Sequence, residues 1–194
     1  MAAAQKIELP ALRIETISFM LIGDSPLIVH AWSEKAKKQM LDKQMKRAKQ
    51  AKEAKDPEAD YEACFYRTKG GDYGFPAIGV KAAMISACRF ADMKMTEARG
   101  AFHIDAEMLS IIGEPRPRED MVRVGMGTAD IRYRPEFVDW RMPVTIKINA
   151  SVISPEQVAN LINIAGFGVG IGEWRPERNG SYGRFHVATS EEVA

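Results

Sequence analysis

From Leu12 apolar and polar residues alternate, and then the chain turns apolar through Ile22. This predicts a strand over 12–22, half-buried at first and then fully buried. Gly23-Asp24-Ser25-Pro26 breaks it, and residues 27–30 continue extended. Ser33 reads as the N-cap of a helix running from Glu34 to about Lys55. The apolar positions of that helix, Ala36, Met40, Leu41, Met45, Ala48 and Ala51, make one thin stripe. Lys69-Gly70-Gly71-Asp72 reads as a hairpin or loop turn. A second helix is predicted over 78–95, with Val80, Ala83, Met84, Ala87, Cys88 and Ala91 on its buried stripe and Lys81 and Arg89 off it. Gly100 then separates this helix from a block of strands, the first over 103–112. Residues 114–120 read as a rigid charged turn, and 121–126 with 129–134 as a hairpin around Gly127-Thr128. Clear alternation from Val144 predicts a core strand over 141–150. Ser154-Pro155-Glu156-Gln157 starts a helix over 155–165 with the signature of a capping box. A last strand is predicted over 182–188, and a frayed tail from Thr189 to Ala194.

Setting aside about 33–75 (basic helix and loop) and 114–135 (arginine-rich β-hairpin) as insertions leaves strand, helix, strand, strand, helix, strand. That order, βαββαβ, is the ferredoxin-like, RRM-like plan of the α+β class: an antiparallel four-stranded sheet with two helices on one face. The expectation is therefore one ferredoxin-like domain over 1–194, with the last strand beside the first.

Composition narrows function by exclusion. The net charge is only +1, so affinity for a polyanion has to come from local patches. The strongest lies between residues 34 and 55, with 9 Lys/Arg against 3 Asp/Glu; a solvated surface helix and a polyanion-facing helix both fit it. No apolar run approaches the roughly 20 residues of a membrane span. The opening Met-Ala-Ala-Ala-Gln-Lys lacks the apolar core of a signal peptide, so a cytoplasmic protein is expected. Cys64 and Cys88 read as buried or free thiols, and neither they nor the 3 His show metal-ligand spacing. No cofactor is expected.

The stretch 166–187 holds 6 of the 15 glycines, together with Arg175, Arg178, Arg184, Trp174, Tyr182 and two Phe. Glycines let a backbone approach a ligand, arginines fork onto phosphate, and rings stack on bases. A tight turn from helix to strand is the plain alternative. No Gly-Lys-Ser/Thr follows, which excludes a Walker-type loop, and the glycines follow a helix, which argues against a dinucleotide fingerprint. Glu173 and Glu177 stand ready to neutralise two of the arginines. Trp174 reads equally as a stacking platform or a plug under the loop, whereas Trp32 and Trp140 read as packing residues. His30 and Asp24, near the end of the first strand, are the weak catalytic candidates, His186 reads as structural, and His103 has no visible partner. With no paired carboxylates and no nucleophile constellation, the chain reads as a binder and not an enzyme.

Three stretches resemble the RAMP superfamily, the RNA-binding proteins of CRISPR effector complexes. Leu21-Ile22-Gly23-Asp24-Ser25-Pro26-Leu27-Ile28 is similar to the family's first strand and corner. Phe75-Pro76-Ala77-Ile78-Gly79-Val80-Lys81-Ala82-Ala83 resembles the proline-led start of its first helix. Ser181-Tyr182-Gly183-Arg184-Phe185 resembles the ending of its C-terminal glycine-rich loop. The departures are Gly79, Val80 and Ala82 in the helix start and a longer loop carrying Trp174 and Pro176. The resemblance implies strand binding by the glycine-rich loop and by basic positions near the first helix, stacking of subunits into filaments, and a thumb-like role for the hairpin. It carries roles onto Lys81, Gly172, Gly180, Gly183 and Arg184. The whole sequence also looks like small bacteriophage proteins.

The expected function is a largely sequence-independent single-stranded DNA- or RNA-binding protein, oligomeric, in phage replication or recombination in the host cytoplasm. Its expected contacts are Lys81, Arg89, Gly172, Trp174, Arg175, Arg178, Gly180, Gly183 and Arg184. A phage protein-interaction module that mimics or blocks a host nucleic-acid complex, and a RAMP-type endoribonuclease, are the alternatives.

Overall fold

The computed structural model describes residues 11–47, 54–125 and 127–193. The opening Met1–Lys6 segment, residues 48–53 of the basic helix (with Ala48 and Ala51), Met126 in the hairpin turn and Ala194 lie outside the described residues. The elements, in order, are strand β1 (Ile14–Gly23), β2 (Leu27–Ile28), helices α1 (Glu34–Gln44) and α2 (Pro57–Glu62), β3 (Tyr66–Arg67), β4 (Tyr73–Pro76), α3 (Ala77–Ala87) and α4 (Met95–Ala101). There follow β5 (Phe102–His103), β6 (Met108–Ser110), β7 (Pro115–Val124), β8 (Thr128–Phe137), β9 (Arg141–Asn149), α5 (Pro155–Gly168), β10 (Phe185–Val187) and α6 (Ser190–Val193).

The main sheet runs β10-β1-β9-β5, every neighbour antiparallel, with the last strand beside the first. The chain is α+β, and this sheet with α3 and α5 is consistent with a ferredoxin-like plan. Strand β9 builds the core by alternation: Met142, Val144, Ile146 and Ile148 are buried, while Arg141, Pro143, Thr145 and Lys147 face out. Val158, Leu161 and Ile162 of α5 and Val80 and Met84 of α3 join the same core. Helix α5 starts where expected, with Ser154 Oγ accepting from Gln157 N–H and Gln157 Oε1 accepting from Ser154 N–H. The opposite face of the sheet presents Thr16, Ser18, Thr145 and Lys147; among the described residues it carries no Phe, Tyr or Trp, and its aromatic rings are the imidazoles of His103 and His186. Among the described residues no helix is long and apolar enough to cross a membrane. Both cysteines are buried and free.

Several elements differ from the sequence-based expectation. The predicted strand 103–112 is two short strands, β5 in the main sheet and β6 beside β4, and α4, which was not expected, carries Gly100 inside it. Buried Ala98 and Ala101 anchor that short helix despite the glycine. The charged stretch 114–120 is mostly strand: β7 and β8 form a ten-pair ladder from Pro115↔Phe137 to Val124↔Thr128. Its charges stabilise it from across the ladder, so no apolar alternation marks it in the sequence. Helix α1 has Ser33 as its N-cap, no buried residue and a C-cap at Met45. Helix α3 ends at Ala87 and passes into one 3-10 turn, short of residue 95. The pair Leu27 and Ile28 leaves the main sheet to join β8, and residues 182–184 belong to the loop and not to β10. Trp140 packs as expected, whereas Trp32 is exposed.

Candidate nucleic-acid interface

The glycine-rich loop runs from Val169, where α5 ends, to Arg184. Its backbone N–H groups are largely turned inward. Ile171 N–H donates to Gly183 O at 2.9 Å, Glu173 N–H to Ile28 O at 2.9 Å, Glu177 N–H to Val169 O at 3.1 Å and Tyr182 N–H to Trp174 O at 3.1 Å. Gly180 packs so closely on Trp174 that a Cβ would collide with the Trp174 carbonyl. Gly183, at φ +64°, lies against the Ile171 carbonyl in the same way and occupies the left-handed region that favours glycine. The glycines thus fold the loop upon itself. With those donors satisfied within the chain, the loop's attraction for an anion comes chiefly from its side chains.

Between this loop and α3 lies a cleft of about 280 Å³, walled by Ile78, Gly79 and Ala82 of α3, by residues 169–173 and by His30. Arg175 reaches from the loop into its wall: Nη1 donates to Gly172 O at 3.1 Å, and Nε and Nη2 to Glu177 Oε2 at 3.1 and 2.9 Å. Arg89, in the 3-10 turn that follows α3, reaches the same carboxylate, Nη2 to Glu177 Oε1 at 3.4 Å. Burial would raise the Glu177 pKa, but hydrogen bonds from Arg175 and Ser86 and the charges of Arg175 and Arg178 together hold the carboxyl below its usual range. Arg89 and Arg175 are therefore brought together at one rim of the cleft by a shared acid. Arg178 follows, exposed, at the end of a 3-10 turn closed by Asn179 at φ +60°.

Lys81 is not brought there. Its Nζ lies 3.3 Å from Arg99 O and 3.2 Å from His103 Nδ1, on the side of α3 that faces β5. Arg184 stands at the loop's other end, with Nε on Ser181 O at 3.3 Å and its backbone tied to Ser25. Trp174, at φ +51°, lies edge-to-face with Tyr182, and the Arg118 guanidinium sits 5.3 Å from its ring centroid and 4.9 Å from that of Tyr182. That contact docks the β7–β8 hairpin on the loop. The ring open to solvent near the cleft is another: Phe90, 63% exposed, lies near Gly168 and 6.0 Å from the Arg89 guanidinium. The sequence reading passed over Phe90, because an exposed ring and a core ring look alike in a helical pattern.

Behind the loop the hairpin carries a charge ladder. Glu136 accepts from Arg116 Nε at 2.8 Å and Arg118 Nη1 at 2.9 Å, and Asp120 accepts from Arg118 Nε at 2.8 Å. Arg134, buried, stands 3.7 Å from Asp120 and 3.8 Å from Glu173. The other side of the Glu173 carboxylate lies 3.7 Å from His30 Nδ1. The His30 ring holds the Glu173 carboxyl below its usual range; burial opposes this, and Arg134 and Arg132 reinforce it. His186, on β10, lies between Asp24 and Glu192. Among the described residues no group of three or more His, Cys, Asp or Glu is placed to hold a metal ion.

No protein-family model matches the chain, and no curated protein sequence matches it. Among solved structures, the chain is similar to the crystal structure of Cmr6 from Pyrococcus furiosus, at 11% identity and a TM-score of 0.49, over 92% of this chain and 100% of that one.

Proposed function

We propose that the protein binds single-stranded nucleic acid, DNA or RNA, along the cleft between the glycine-rich loop and α3, and that it acts by binding without cleaving the strand. The observation that carries this reading is the composition of one rim. Arg89 and Arg175 meet there on Glu177, Arg178 follows one residue on, and the solvent-exposed ring of Phe90 lies beside Arg89. Guanidinium groups track phosphates and exposed rings take stacked bases, and neither reads base edges, so binding is largely independent of sequence.

The resemblance of three stretches to RAMP proteins extends the proposal to a homo-oligomer or filament. The hairpin offers Met121 opposite Ile131, both exposed, as a surface for a neighbouring copy. The same proposal sets the activity in phage replication or recombination in the host cytoplasm, on the ground of the resemblance to small bacteriophage proteins.

Filter binding of single-stranded DNA, RNA and duplex at two salt concentrations tests the reading, with native mass compared against 21.6 kDa for one chain. Single strands are retained and affinity falls steeply with salt. Arg178→Ala and Arg184→Ala each weaken binding about uniformly across sequences and lower the log–log salt slope by about 1. A monomer that ignores poly-dT and poly-U at low salt refutes it.

A further inference from the structure

Arg134 is 2% exposed, yet its Nε and Nη1 have no hydrogen-bond partner, and neither does the facing Asp120 Oδ2. A guanidinium carries its five donors in a fixed fork, and a buried charge whose hydrogen bonds are unmade is costly. The neighbour that divides Arg134 from the cleft is Glu173. Its carboxylate hangs between Arg134 Nη1 at 3.8 Å and His30 Nδ1 at 3.7 Å, within Coulombic reach of both and at hydrogen-bond length from neither.

The Glu173 backbone is fixed, by its N–H on Ile28 O and by the docked Trp174 that follows it. Its side chain, 39% exposed, belongs to the cleft wall and is open to the cleft. The place it occupies is thus an anion position between a buried guanidinium and an imidazole, filled loosely by a carboxylate of the chain itself.

We propose that Glu173 is an internal stand-in for a phosphate group, and that a phosphate of the bound strand displaces it and takes hydrogen bonds from Arg134 and His30. The oxygens of a tetrahedral phosphate stand further apart than those of a carboxylate, and the group is not tethered to the fixed Glu173 backbone, so it can close on both donors. The swap exchanges one anion for another, so the buried charge stays balanced. In the absence of a ligand, Glu173 keeps the site closed and lowers the affinity of the cleft for polyanions. This inference rests on the cleft being the strand site.

Inorganic phosphate is the first probe. Thermal unfolding of the wild type, Glu173→Gln and Glu58→Gln is followed in phosphate and in chloride at matched ionic strength. Glu58 is an exposed acid on α2 and serves as a charge control. Phosphate is expected to raise the Tm of Glu173→Gln more than that of the other two, by linkage to the unfolding equilibrium. An equal response in all three overturns the proposal.

Labelled oligothymidylate and oligouridylate, each with a 5′-phosphate or a 5′-hydroxyl, are the second probe. Glu173→Gln is expected to bind about tenfold more tightly than wild type, since a competing charge at close range is gone. A gain confined to 5′-phosphorylated strands assigns the site to a strand end; a gain with both assigns it to internal phosphates. If no strand binds while the phosphate shift persists, the anion site stands and the strand-binding function falls. If strands bind but Glu173→Gln brings neither gain nor shift, the function stands and the site falls. Should Glu173→Gln not fold, Glu173→Asp withdraws the carboxylate by one methylene, and a smaller gain of the same sign is expected.

Discussion

Gly183 donates its backbone N–H to the carbonyl oxygen of Pro26 at 2.8 Å. One residue further, Arg184 N–H donates to Ser25 Oγ and Asp24 N–H donates to Arg184 O, both at 2.9 Å. The corner after β1 and the far end of the glycine-rich loop are thereby one structure, although 159 residues separate Ser25 from Arg184. Two of the stretches that resemble RAMP proteins meet at this joint.

Replacing Gly183 tests the joint. Alanine would have to adopt φ +64° and drive its Cβ into the Ile171 carbonyl. Strain and displacement together make Gly183→Ala less stable by about 2–4 kcal/mol. Urea unfolding should show a lower midpoint at an unchanged m-value.

The charge ladder gives a second prediction. Glu136 is 4% exposed and holds both Arg116 and Arg118. Glu136→Ala leaves Arg118 with Asp120 as its one carboxylate partner and should cost about 3 kcal/mol, the effect of removing one partner from a buried pair. Glu15→Ala, which removes an exposed pair with Arg13, should cost under about 1 kcal/mol. The two are compared in one set of urea titrations.

A third concerns pH. His186 Nδ1 lies 2.6 Å from Asp24 Oδ1, and Nε2 lies 3.2 Å from Glu192 Oε1. Burial lowers the imidazole pKa, but the hydrogen bonds to Asp24 and Glu192 outweigh it, and the net shift is upward. The folded protein therefore binds this proton more tightly than the unfolded chain. The stabilisation is complete below the unfolded value, about 6.5, and is lost as pH rises through the folded one. The stability difference between wild type and His186→Asn should shrink as pH increases across that window. The protection of amides in α6, which carries Glu192, relative to their intrinsic exchange rate should fall over the same range.

Phe90 supplies a fourth. Its ring is 63% exposed, so Phe90→Ala should leave stability within about 0.5 kcal/mol. If a base stacks on it, the same change should weaken single-strand binding by about 1–3 kcal/mol. Fluorescence anisotropy and thermal unfolding on one preparation separate the two effects.

The candidate site was only partly legible in the sequence. Arg89 and Arg175 do meet at the cleft rim, through Glu177, whose opposing charge the sequence had already marked. Lys81 stands off the predicted apolar stripe in the sequence, but that stripe does not say which exposed side faces the loop. Packing of α4 and β5 turned Lys81 toward Arg99 and His103 instead. His103, with no partner visible in the sequence, acquired one in this way. Trp174 was balanced between platform and plug; in the fold its ring is engaged by Tyr182 and Arg118.

By itself the sequence determined whatever depends on near neighbours. The alternation that buries Met142, Val144, Ile146 and Ile148, the capping box of Ser154 and Gln157, and the N-cap at Ser33 are all written within a few residues. Only the tertiary structure decided the rest. The partner that turns a charged stretch into β7 lies across a ladder: Glu136 of β8 holds both Arg116 and Arg118. Glu173 took its place between His30 and Arg134 because the segment after β2, the β7–β8 hairpin and the glycine-rich loop converge there from three parts of the chain. A charge shows its sign in the sequence, but what it does depends on the distance to its partner, and folding sets that distance.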